Sequence, residues 1–123
     1  MWKLEPSAEY EKRCKTWPKK YHRELKAMGD NLDTVYKTLC MGAAVEQLQF
    51  GFLHNEPCGA KAVDQKGGGQ GLKQTRLYFY PDKTRKVLHL ITIGDKKSQT
   101  TDINLCKKFI SGLLQKEREA DNG

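Results

Sequence analysis

Residues Val87 to Ile93 read Val-Leu-His-Leu-Ile-Thr-Ile, apolar on both faces that an extended chain presents. Such a run predicts a central strand of a sheet rather than an edge. Just before it, Leu72 to Tyr80 alternates. Thr75, Leu77 and Phe79 fall on one face, and Gln74, Arg76, Tyr78 and Tyr80 on the other. Pro81-Asp82-Lys83-Thr84 supplies the turn between the two runs.

The remaining segments are read around this pair. Trp2 to Glu5 alternates and stops at Pro6, which suggests a short first strand. Ser7 is placed to cap a helix with Glu9 and Glu11 in its first turn. Pro18 ends or restarts that helix. A second helix carries Tyr21, Leu25, Met28, Leu32, Val35, Tyr36 and Leu39 on one stripe, and Gly42 closes it. Phe50 to His54 and Ala60 to Gln65 read as strands. Gly67 to Gly71 reads as a flexible exposed loop that orders on binding, within a long hairpin connection. It is not a phosphate-binding P-loop, because no Lys-Ser or Lys-Thr follows its last glycine and a strand comes next. Thr100 or Thr101 is expected to cap a last helix with Ile103, Cys106, Phe109, Ile110, Leu113 and Leu114 inward, and 117–123 to fray. The expected fold is one α+β domain over residues 1–123. It has an N-terminal strand and helical hairpin, an antiparallel twisted sheet with helices on one face, and a C-terminal helix.

The chain has 123 residues and a formal charge of +7, from 22 Lys and Arg against 15 Asp and Glu. That length buries one core without help from a metal or a disulfide. The charge fits a polyanionic partner, with simple solubility as the plain alternative. Cys14, Cys40, Cys58 and Cys106 lie far apart, and with His22, His54 and His89 they give no metal-ligand spacing. Reduced thiols, no cofactor and a cytoplasmic location are expected. No apolar run is long enough for a signal peptide or a membrane span.

Two constellations stand out. Arg76, Tyr78 and Tyr80 share one strand face, offering a guanidinium fork for phosphate and phenols that can stack on unpaired bases. If that face is covered, the tyrosines are instead core and Arg76 pairs with an acid. Lys96 and Lys97 sit in the loop before a helix N-terminus, where an anion is favoured. The plain reading there is a solvated loop. His89, inside the central strand, reads as a core histidine, and nothing in the spacing of His54 assigns it to a cleft.

Arg76-Leu77-Tyr78-Phe79-Tyr80, Leu90-Ile91-Thr92-Ile93 and Lys96-Lys97-Ser98-Gln99-Thr100 together resemble the C-terminal half of the RelE/HigB family of bacterial toxins. The likeness covers about residues 72–110, and before that it is one of element order. It implies a toxin of a toxin–antitoxin system that cleaves messenger RNA on the ribosome without a metal. It also implies a cognate antitoxin as partner. The site it implies has Arg76, Lys96, Lys97 and Tyr78 as catalytic residues, with Tyr80 and Gln99 touching RNA. Lys73 is added from strand placement, although its side chain should point away from Arg76. In this reading Arg76 and Lys97 stabilise charge, Lys96 is the base, and Tyr78 or Tyr80 stacks or relays a proton. The alternatives are a non-catalytic module that binds nucleic acid or protein, and a gyrase-directed toxin.

Overall fold

The computed structural model describes Met1 to Asn122. The chain forms β1 (Lys3–Pro6), α1 (Ala8–Lys15), α2 (His22–Cys40), β2 (Leu53–Asn55), β3 (Lys61–Asp64), β4 (Thr75–Asp82), β5 (Val87–Asp95) and α3 (Gln99–Asn122). Short 3-10 turns lie at Lys19–Tyr21, Val45–Gln47 and Pro57–Gly59. The architecture is α+β, a five-stranded sheet in the order β1-β5-β4-β3-β2.

The sheet is mixed, which corrects the antiparallel expectation. β1 lies parallel to β5, Lys3 opposite Val87 and Pro6 opposite Leu90, while the other neighbours are antiparallel. The cause is connectivity. β1 and β5 are joined by the whole intervening chain, with no tight turn to force antiparallel pairing.

Helices cover both faces, not one. Met28, Leu32, Val35 and Leu39 of α2 pack on Leu77, Phe79, Leu88, Leu90 and Ile93. On the opposite face Tyr78, Ile91 and Ala62 pack with Cys106 and Ile110 of α3. Tyr78 and Ile91 give this second face enough apolar surface to need cover. Between Tyr78 and Phe79 the β4–β5 register slips by one, so Phe79 faces Leu90 and Ile91 has no residue opposite. That slip lets Leu90 and Ile93, at odd spacing, bury in the same core.

Local chemistry sets the element ends. The Ser7 hydroxyl accepts the Tyr10 N–H at 3.0 Å and donates to the Ile91 carbonyl at 2.7 Å, so one residue both caps α1 and moors it to β5. Gly42 closes α2 at φ +103°, donating to the Leu39 carbonyl at 3.0 Å. β2 starts later than expected, at Leu53, because the Leu53 N–H donates to the Phe50 carbonyl at 3.0 Å and closes a turn there, with Phe50 and Phe52 stacked at 5.0 Å. Asp95 and Ser98 exchange side-chain and backbone bonds at 3.1 Å, which starts α3 at Gln99, before either threonine. The helix continues through the segment expected to fray, and Glu117 meets Arg85 at 3.1 Å. Gly123 lies outside the described residues.

The glycine loop is moored rather than loose. Asn31 donates to the carbonyls of Asp64 at 2.8 Å and Lys66 at 2.9 Å, and Arg23 to that of Gln70 at 3.0 Å. A Cβ at Gly68 would sit 2.6 Å from Ala27 Cβ, so only glycine lets the loop lie so close to α2.

Candidate functional site

Asp64 of β3 lies opposite Arg76 of β4, which lies opposite Gly94 of β5. These three positions form a row across one end of the sheet. Gly94 has no side chain, and the N-terminal turn of α3 fills the space. A Cβ there would overlap the Asp102 carboxylate and the Ser98 hydroxyl. Asp102 is fully buried and takes an Arg13 bond at 2.6 Å and a Ser98 bond at 2.7 Å. Burial pushes its carboxyl up, while Ser98 and Arg13 pull it back. Arg13 also donates to the Ile93 carbonyl at 2.9 Å, so this cluster joins both helical layers at the end of β5.

Beside that junction the sheet opens into a cleft of about 210 Å³, lined by His54, Asp64, Gln65, Lys66, Gln74, Thr75, Arg76, Tyr78, Asp95, Lys96 and Gln99. His54 Nε2 lies 2.7 Å from Asp64 Oδ2. Asp64 Oδ1 accepts the Lys66 backbone N–H at 2.8 Å, so the carboxylate is fixed from both sides. In the neutral ring Nε2 donates to the carboxylate, which leaves the imidazole lone pair on Nδ1. Arg76 donates to Glu56 at 2.7 Å. The Arg76 side chain keeps 31% exposure while Glu56 keeps 7%. The carboxylate therefore sits inside and aims the guanidinium. Lys66 is bound to the Gly51 carbonyl at 2.8 Å and lies 3.8 Å from Asp64.

The residues expected from sequence divide between several places. Arg76, Tyr78, Lys96 and Gln99 do line one cleft. The ring of Tyr78 is 1% exposed and packed under α3, so it cannot stack on a base, and burial drives its phenol pKa strongly up. Tyr80 lies further along β4, 6.4 Å from the His89 ring, away from the cleft. Both phenols fail as open platforms for one reason: the strand face that carries them is the face α3 covers. Lys97 lies with Lys73, Gln74 and Lys96 in an adjoining depression rather than in the cleft. Lys73 is bridged to Asp95 at 3.2 Å, which raises its pKa.

His54 and Asp64 were not legible as a pair. They sit on adjacent antiparallel strands, and only the β2–β3 register brings them together. Among the described residues no three His, Cys, Asp or Glu side chains are grouped as metal ligands, and all four cysteines are free thiols. No helix among them is long and apolar enough to cross a membrane.

Fold and site together define an α+β protein with a histidine–carboxylate pair and basic side chains in one cleft. Comparison with protein-family models, with curated proteins and with solved structures finds no match.

Proposed function

We propose that this chain is an endoribonuclease, the toxin of a toxin–antitoxin pair, cutting messenger RNA through its own 2′-hydroxyl. The observation that carries the reading is the His54–Asp64 pair in the same cleft as Arg76 and Lys96. Cleavage of this kind needs a base for the 2′-hydroxyl, cations for the charge that develops on phosphorus oxygens, and an acid for the leaving group. His54 Nδ1 takes the 2′-hydroxyl proton as the O2′–P bond forms. Arg76, held by Glu56, meets the non-bridging oxygens. The P–O5′ bond breaks, and the Lys96 ammonium protonates O5′, leaving a 2′,3′-cyclic phosphate and a 5′-hydroxyl. The base is thus assigned to His54 in place of Lys96. The assignment to a toxin rests on the resemblance of residues 72–110, and the net charge of +7 supports a polyanionic substrate.

One observation favours the second reading, a binding module without turnover. One nitrogen of the Arg76 guanidinium is already paired with Glu56, and the Lys73 ammonium with Asp95, so substrate must share these cations with internal carboxylates. Primer extension on a defined messenger RNA in a reconstituted bacterial translation reaction separates the two. Wild type should produce cuts that need ribosomes and vanish in His54→Ala and in Arg76→Gln. No cuts by folded wild-type protein, freed of any antitoxin, would leave only the binding module.

A further inference from the structure

The charges of the cleft are close to balance. Lys66, Arg76 and Lys96 face Asp64 and Asp95, with Glu56 behind Arg76. Attraction for a polyanion must come from the rim. The adjoining depression is lined by Lys73, Gln74, Lys96 and Lys97, and it shares Gln74 and Lys96 with the cleft as a common wall. Lys96 and Lys97 are exposed and make no ion pair among the described residues. Lys73 is fixed at the far side. Its backbone N–H donates to Glu24 at 2.8 Å, and its ammonium lies 3.2 Å from Asp95 and 4.6 Å from the centre of the Tyr21 ring. Lys20 lies 5.1 Å from the same ring centre. The Lys73 ammonium donates to the Tyr21 hydroxyl at 3.5 Å, and that bond, with the charge of Lys20, holds the phenol below its usual value.

We propose that the depression between Lys73 and Lys97 is a second phosphate subsite, taking the phosphate next to the reacting one on a single RNA strand. This deepens the ribonuclease reading and rests on it. Lys96 stands at the junction and serves both phosphates. Lys97 is given to the neighbouring phosphate, a positioning role instead of a catalytic one. Single-strand RNA suits the geometry because two depressions sharing a wall follow one flexible backbone.

The test uses the full chain and a fluorescein-labelled, 2′-O-methyl hexauridylate, which binds but cannot be cut. Its anisotropy is followed from low to high salt. Each phosphate contact contributes about 0.7 to the slope of log K against log salt for a single strand. Lys97→Ala, at an exposed position, should lower the slope by about 0.7, and Lys73→Gln with Lys97→Ala should lower it no less. Uridine 3′-monophosphate carries one phosphate and should bind wild type and Lys97→Ala equally. If Lys97→Ala keeps the wild-type slope while Arg76→Gln lowers it, the subsite is wrong and the cleft stands. If neither changes the slope, the subsite and the RNA reading of the cleft fall together.

Discussion

Asp64→Asn isolates the proposed base with almost no change of shape. In the wild type the two carboxylate oxygens have different partners, the Lys66 N–H at 2.8 Å and His54 Nε2 at 2.7 Å. The Lys66 N–H needs an acceptor, so the asparagine must put its carbonyl oxygen there and turn its NH2 toward His54. Two donors cannot face each other at that distance. The imidazole must then accept at Nε2 and carry its proton on Nδ1, the atom that has to be free to take a proton. A correctly placed general base is worth about 10²–10⁴ in rate. The equivalent wrong-tautomer change in a serine protease costs about 10⁴. RNA cleavage by Asp64→Asn should therefore fall by about 10²–10⁴, or about 2.7–5.4 kcal/mol at 1.36 kcal/mol per decade. The assay is single-turnover cleavage of labelled messenger RNA on programmed ribosomes from pH 5 to 9, with urea unfolding as the control for folding. Cleavage within tenfold of wild type, with the same pH profile, would refute the tautomer argument and remove His54 as base.

Other perturbations follow from the same contacts. Removing Arg76 leaves the Glu56 carboxylate buried without a partner, so Arg76→Ala should lose about 1–3 kcal/mol in urea unfolding as well as cleavage. Adding Glu56→Gln should restore the stability and not the cleavage; recovery of both would show that Arg76 has no part in the chemistry. Gly94→Ala forces a methyl group into the Asp102–Ser98 contact and should destabilise by about 2–4 kcal/mol, and a loss below about 1 kcal/mol would mean that α3 can shift. His89 is 7% exposed and its Nε2 has no partner; burial lowers its pKa from the ordinary 6.5, against smaller opposite pulls from Glu5 and Asp82. The unfolded chain thus takes up the proton first, so stability is full above pH 6.5 and declines as pH falls below it. His89→Phe should flatten that decline between pH 7.5 and 5.5 in urea titrations, and an unchanged slope would place the acid sensitivity elsewhere.

The elements were legible where periodicity was strong and local. The α2 stripe, the alternation of β4, the apolar run of β5 and the Ser7 cap all follow from neighbours within a few positions, and all are present. What failed was set by distant partners. That β1 runs parallel to β5 depends on a pairing across most of the chain. That α3 takes the face opposite α2 decides whether Tyr78 is a reagent or a core residue, and the alternation of β4 is the same in either case. The site was half legible. Arg76 and Lys96 showed through their strand and loop. Asp64 gave no sign, because its role comes from a histidine on the neighbouring strand that only the β2–β3 pairing brings within reach. A signal did exist in Gly94, where a strand ends without a side chain just before Asp95 and Ser98 open a helix.

The pairing of β1 with β5 also sets a clock. Ser7 and Ile91 are 84 positions apart, and Arg13 and Asp102 are 89 apart. At roughly 5–20 residues per second, the first strand leaves synthesis about 4–17 s before its partner exists. Through that interval β1 and α1 lack the strand they rest on, and the N-terminal segment is open to proteases and to other chains. Closure over so long a separation places folding among the slower small domains, on the order of milliseconds to seconds once the chain is complete. The cleft, whose rim is anchored to the last helix, is then among the final parts of the molecule to exist. A chain released before Asp102 has been added carries every side chain that lines the cleft but lacks the Arg13–Asp102 contact that ties the end of β5 to α1 and α3.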